Sequence, residues 1–201
     1  MDDALRARVG ALCAEGWEIF ERFDIEVRDR AFHPFVNANY ESVLAALLPH
    51  CAPGLKFLEW GSASGVITLM ADLLGFEAYG IELDADLVVT ARALAKKFES
   101  RARFVTGSFL PTGYAWRPSG GDGRIATIGD GESGYLQLGL SLDEFDVVFG
   151  YPWGGEEPMM LDLMKRYGRP DALLLLHTVN DGVEQYRDGR RIAAPPPAHH
   201  P

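Results

Sequence analysis

The stretch Lys56-Phe57-Leu58-Glu59-Trp60-Gly61-Ser62-Ala63-Ser64-Gly65 decides the fold. An apolar run ending in a carboxylate leads into a turn of small residues. Val66, Leu69, Met70 and Leu73 then recur at helical spacing until Gly75 stops them. The order is strand, turn, helix. A second apolar run, Phe76 to Ile81, brings Glu82 to a strand end roughly twenty residues after Gly61, the separation at which a carboxylate accepts hydrogen bonds from both hydroxyls of a nucleoside ribose.

Outward from this unit, strand-like runs recur at Ala102 to Thr106, Phe145 to Gly150 and Asp171 to His177, with helical patterns after the first, second and fourth strands. Such alternation predicts an α/β fold, a Rossmann-like, doubly wound and mainly parallel sheet of about five strands. The helix after Glu82 is the best signalled. Asp84 caps it, Leu87, Ala91, Leu94 and Phe98 line one face, and Lys96 and Lys97 suit its negative C-terminal end. Upstream, Leu5, Val9, Leu12, Gly16, Phe20 and Phe23 share a helical face, and a second amphipathic stretch runs from about Tyr40 to Leu48. The expected organisation is one domain over residues 1–192, with a helical cap (1–51) and a Rossmann-like core (52–183). The core carries a Gly-rich insertion at 110–142, either a substrate-facing lid or a surface excursion. The Pro-rich tail, 193–201, is expected to be disordered.

At 201 residues and 47% hydrophobic composition, the chain suffices for one well-buried domain. Its net charge of −10 repels phosphate backbones and anionic membranes, so nucleic acid is disfavoured as a partner and a small molecule preferred. Cys13 and Cys51 lie in helical stretches without metal-ligand spacing, which reads as free thiols, a reducing cytoplasmic location and no metal site. No apolar run reaches membrane-spanning length.

A dinucleotide fingerprint needs three glycines where this chain has Gly61, Ala63 and Val66, and a methyl group at 63 crowds the approach of a pyrophosphate. NAD therefore fits poorly. Read as acid-x-G-x-G-x-G, the segment supplies Glu59, Gly61, Ala63 and Gly65, and it resembles the first motif of class I S-adenosylmethionine-dependent methyltransferases, with alanine for the middle glycine. The resemblance covers roughly residues 30 to 180 and implies S-adenosylmethionine as cofactor and methyl transfer as activity. It places Glu59, Gly61, Ser62, Ala63 and Gly65 around the amino-acid end of the cofactor. Glu82 and Leu83 fall at the ribose, and Ser108 and Phe109 stand where the family commonly has an acid near the adenine. Glu82, as a strand-end carboxylate in an open cleft, is expected to have no core contacts.

The fourth strand ends in Tyr151-Pro152-Trp153-Gly154-Gly155-Glu156-Glu157, the wall beside the transferable methyl group in that family. Tyr151, Glu156 and His177 are the catalytic candidates, with Glu157 as a further base. Phe35 and Trp153 are the candidate substrate contacts. Each has a plainer reading: the aromatics pack the sheet end, and His177 is a strand-end core histidine. Tyr-Pro-Trp distantly resembles the Asp/Asn-Pro-Pro-aromatic motif of nucleic-acid amino-methyltransferases but lacks its leading amide or acid. The alternative from another class is a methyltransferase-like protein that binds the cofactor and serves as a scaffold. Full class I folds add two further strands as an antiparallel hairpin. After His177 the residues are few and polar, so the expected sheet either stops at five strands or is completed by a partner, and the exposed edge that leaves favours a homodimer or covering by a neighbouring element.

Overall fold

The computed structural model describes residues 1–27, 35–116, 131–153, 155–178, 180 and 182–193. The parallel strands are β1 (Lys56–Trp60), β2 (Glu77–Glu82), β3 (Arg103–Thr106), β4 (Val147–Gly150) and β5 (Leu173–His177). Two antiparallel strands follow, β6 (Val183–Arg187) and β7 (Arg190–Ile192), and the sheet order is β3-β2-β1-β4-β5-β6-β7. Strand order reverses at β1, which pairs with both β2 and β4. A crevice opens at such a point, beyond the C-terminal strand ends.

Side chains alternate between two cores. Phe57, Phe104, Val147, Phe149, Leu173 and Leu175 face one helical layer, while Leu58, Tyr79, Val105, Val148, Leu174 and Leu176 face the other. β5, between β4 and β6, is buried along its whole length, which explains its unbroken Leu173-Leu174-Leu175-Leu176 run. The first layer holds α1 (Asp3–Val27), α2 (Tyr40–Leu47), α3 (Val66–Leu73) and α4 (Ala85–Lys97), and the second holds α5 (Gly134–Leu138) and α6 (Glu157–Tyr167). The Asp84 carboxylate caps α4 by accepting from the amides of Asp86 (2.8 Å) and Leu87 (3.1 Å).

Residues 1–51 form no detached cap. A Cβ at Gly16 would come within 2.6 Å of Val66 and 2.8 Å of the Tyr40 hydroxyl, so glycine lets α1 lie directly on the start of α3. The Arg8 guanidinium donates to the Phe98 carbonyl (2.9 Å) and Lys97 pairs with Glu15 (2.6 Å), fastening α1 to the end of α4. Phe20 and Phe23 pack on Phe35, with ring centroids 5.2 and 5.5 Å apart.

The strand count corrects the sequence expectation. The terminal hairpin is present: β6 pairs with β5, β7 pairs with β6, and Asp188-Gly189 forms the two-residue turn with φ of 51° and 66°. Positive φ at both positions defines a turn whose twist suits a hairpin. Because the hairpin occupies the β5 edge, the open edge behind the homodimer expectation is not there. The new outer edge is a three-residue strand carrying Arg190 and Arg191, a short and charged edge of the kind that resists pairing.

The 110–142 insertion also differs from a plain loop. Ser108 and Ser133 form a parallel bridge, after which Tyr135, Leu138 and Leu142 enter the second core. The lid reading falls on residues 117–130, which lie outside the described residues, as do the loop Phe32-His33-Pro34 and all of the tail beyond Ala193. No described helix is long and apolar enough to cross a membrane. Among the described residues no group of three His, Cys, Asp or Glu is placed to hold a metal ion.

Candidate functional site

A cleft of about 360 Å³ lies over the strand ends where the sheet order reverses. Its floor is the turn after β1. The amides of Gly61 (2.9 Å) and Ser62 (3.0 Å) both donate to the Ile81 carbonyl, which staples the turn to β2. Gly61 has φ +69°, and a Cβ there would meet no protein atom within 4 Å. A side chain at 61 would therefore project into open space beside the turn. Ala63 takes φ +46°, a left-handed backbone that costs an L-residue about 1 kcal/mol or more. Its amide is held there by Glu82 Oε2 at 2.8 Å.

Two carboxylates carry the floor. Glu82 accepts from Ala63 through Oε2 and from the Asp84 amide through Oε1 at 2.9 Å. Burial raises its pKa, against the lowering effect of the Asp84, Ala63 and Leu83 amides. The expectation that Glu82 sits in an open cleft with no core contacts is thus corrected: it is buried and ties the turns after β1 and β2 together. Glu59 accepts from the amide and the hydroxyl of Thr68 on α3. Burial pushes its carboxyl up to about 8, although both Thr68 bonds favour the ionised form. Ser62 Oγ is buried with no hydrogen-bond partner among the described residues.

The expected site residues gather here with three exceptions, Gly65, His177 and the further base Glu157, whose carboxylate accepts the Tyr186 hydroxyl at 2.8 Å. Glu59, Gly61, Ser62, Ala63, Glu82, Leu83, Ser108 and Phe109 line one side of the cleft, and Phe35, Tyr151, Trp153 and Glu156 line the other. Phe109 stacks on Trp60 (5.4 Å, 18°), whose indole N–H donates to the Tyr135 hydroxyl at 2.8 Å. Gly65 is the first exception. With φ +82°, it opens α3 behind the floor, where a Cβ would come within 2.7 Å of Phe104 and 2.8 Å of Ala91. Glycine is required there by packing, and the residue does not line the cleft.

His177 is the second exception, which corrects its reading as a catalytic base. It is fully buried, and its Nε2 accepts the Asn39 amide at 3.1 Å, so that nitrogen is engaged in holding the segment before α2. Its ring packs at 4.3 Å against Tyr151, which in turn stacks on Trp153 at 4.6 Å and 28°. His177 therefore positions the wall from behind. Glu156 stands at the N-terminal boundary of α6 without a side-chain capping bond, and its Oε2 accepts the Trp153 amide (3.2 Å).

Residues not singled out in the sequence also matter. Gly80 has a signal: a lone glycine inside a strand marks a close approach, and a Cβ there would come within 2.7 Å of Ser62. Asn37, Tyr40 and Met160 line the cleft without any motif to announce them.

This chain has the class I methyltransferase fold. No protein-family model matches it. The ribosomal protein L11 methyltransferase of Thermus thermophilus is 34% identical over 103 residues, which span 48% of this chain and 41% of that protein. The chain thus matches less than half the length of this relative. An RNA methyltransferase from Salinibacter ruber, solved in complex with S-adenosyl-L-homocysteine, superposes with a TM-score of 0.52 at 18% identity, covering 70% of this chain and 76% of that one. The precorrin-6Y C5,15-methyltransferase of Geobacter metallireducens gives a TM-score of 0.49 at 18% identity, covering 77% and 71%.

Proposed function

We propose that the protein is an S-adenosylmethionine-dependent methyltransferase acting on a small-molecule acceptor. The observation that carries this reading is the pairing of two buried carboxylates, Glu59 and Glu82, around a glycine turn that leaves open space at Gly61. The donor set fits the cofactor. Glu82 lies at the ribose position, where an ionised acceptor suits two hydroxyl donors. Glu59 offers a counter-charge to an ammonium, and the unpartnered Ser62 Oγ gains a partner if an amino-acid end lies over the turn. Phe109, stacked on Trp60, offers an apolar face to a purine.

The bound cofactor supplies a methyl group already activated on a sulfonium, so the chain's own task is placement and exclusion of water. Trp153 and Tyr151 form a flat wall for an acceptor, with Phe35 also lining that side. Glu156, almost fully buried beside that wall, is positioned to take a proton from an acceptor that carries one. A small acceptor is favoured by the net charge of −10, which repels a phosphate backbone.

Calorimetric titration with S-adenosylhomocysteine and with NAD tests the cofactor, and binding of NAD in preference to S-adenosylhomocysteine overturns the reading. Release of S-adenosylhomocysteine from the methyl donor, measured separately with a metabolite extract, total RNA and ribosomal protein, tests the acceptor. Turnover only with a macromolecular fraction rejects the small-molecule acceptor while leaving methyl transfer intact.

A further inference from the structure

Asn37 lies in the wall segment between Phe35 and α2, and both its Nδ2 and its Oδ1 are buried without a hydrogen-bond partner among the described residues. Tyr40 is close enough to feel the amide, yet the two make no bond of hydrogen-bond geometry. Buried amides are nearly always paired, because an unmet donor or acceptor forfeits its hydration without return. Here one side chain leaves both unmet while lining the cleft.

The segment that carries it is held in place from two sides. Asn39, two residues on, caps α2 by accepting the Ser42 amide (3.0 Å) and gives its own amide to His177 Nε2. His177 packs on Tyr151, so through Asn39 the segment that carries Asn37 is tied to the end of β5 and the loop after β4. Phe35, two residues before, is fixed by Phe20 and Phe23. Asn37 shares the cleft lining with Phe35, Tyr151 and Trp153, and its amide offers one donor beside one acceptor. Its terminal torsion is soft, so a turn about that bond presents either edge to a ligand.

We infer that Asn37 is the acceptor-recognising residue, and that the acceptor is a planar molecule with an N–H donor next to a carbonyl or ring-nitrogen acceptor, as in a carboxamide, a lactam or an aminoheterocycle. This rests on the methyltransferase reading above. The ring stacks on the Tyr151–Trp153 wall while its polar edge forms the reciprocal pair that Asn37 lacks.

The test uses the full chain saturated with S-adenosylhomocysteine and two isosteric probes, benzamide and acetophenone, which differ in an amide –NH2 against a methyl group. Binding is followed by ligand-observed NMR. The wild-type protein should bind benzamide at least about tenfold more tightly, as expected for one donor that finds or loses its partner. Asn37→Leu should erase that difference, and Asn37→Gln should restore part of it. S-adenosylhomocysteine affinity should stay within about threefold in both variants. The ligand-free Asn37→Leu protein should melt no lower than wild type, because an unpaired buried amide contributes nothing to the fold. Equal binding of the two probes by wild type overturns the inference, as does discrimination that survives Asn37→Leu. A marked fall in melting temperature would make Asn37 structural, and a selective loss of S-adenosylhomocysteine affinity would place it on the cofactor. Failure of the wild-type protein to bind S-adenosylhomocysteine at all would instead sink the methyltransferase reading itself.

Discussion

The two sides of the cleft are built by different means. On the β1–β2 side, backbone amides do most of the holding: Gly61 and Ser62 donate to Ile81, and Ala63 and Asp84 donate to Glu82, all within one contiguous stretch of chain. On the β4–β5 side, side chains from distant segments lean on one another: Asn39 on His177, His177 on Tyr151, Tyr151 on Trp153. A site made of local backbone geometry breaks sharply when one residue changes. A wall made of stacked rings loosens by degrees.

The largest effect that would expose this difference is expected for Gly61→Val. Its side chain meets no protein atom, so the domain should still fold, at a cost of roughly 1–2 kcal/mol for the left-handed backbone. S-adenosylhomocysteine affinity should fall about a hundredfold or more, because the branched side chain takes the ligand's space. Undiminished affinity in a folded variant would show that the turn is purely structural. Next comes Glu82→Ala, which removes a charged acceptor from the cofactor and from two backbone amides together. Calorimetry should show at least a tenfold loss of affinity, and denaturant unfolding a loss of about 1–3 kcal/mol, with the stability loss present even without ligand. Stability unchanged by the substitution would contradict the two amide bonds.

On the other side of the cleft, His177→Phe removes the acceptor for Asn39 but keeps a ring against Tyr151. Turnover with an identified acceptor should fall roughly three- to tenfold with cofactor affinity unchanged, of the order of one lost hydrogen bond in a positioning network. The shape of the pH–rate profile should not change. Loss of a limb of that profile would restore His177 as a proton carrier.

Smaller still is a pH effect from Glu59. Its carboxyl stays protonated up to about 8 in the folded chain, whereas an unfolded glutamate ionises near about 4.3. The folded state therefore binds the extra proton in that window. The resulting stability is full below the unfolded pKa and is lost as pH rises through the folded one. Glu82, also raised by burial, acts with the same sign. Thermal midpoints of the ligand-free protein should fall from about pH 5 to about pH 8, and Glu59→Gln should flatten that fall. An ammonium placed beside Glu59 favours its ionised form. Cofactor binding near pH 7 should then release protons, read from calorimetry in buffers of different ionisation enthalpy. The smallest effect is a gain: Ala63→Gly relieves the left-handed backbone and should be neutral or stabilising by up to about 1 kcal/mol in unfolding experiments.

Legibility in the sequence followed the same division. The floor could be read because its parts are close in the chain: a carboxylate, a glycine turn and a second carboxylate at fixed spacing, with Asp84 capping the next helix. The hairpin was legible but easily missed, since Asp188-Gly189 is a strong turn signal while its flanks, Glu184, Gln185, Arg187, Arg190 and Arg191, are polar. Only Tyr186 of β6 enters the second core, so no apolar run announces the strand. Gly65 occupied the right place in a motif for a different reason: it is packed under Phe104 and Ala91 and does not face a ligand.

By itself the sequence determined the parallel α/β sheet, the order of its first five strands along the chain and the floor of the cleft, because periodicity, glycine turns and helix caps are local properties of consecutive residues. The tertiary structure alone decided which remote residues share the other wall. Asn37 and Tyr151 are far apart in the chain and are linked through Asn39 and His177, where the N-cap of α2 meets the end of β5. The same docking turned His177 from a candidate proton acceptor into a support, since a nitrogen already bonded to a backbone amide is not available to a substrate.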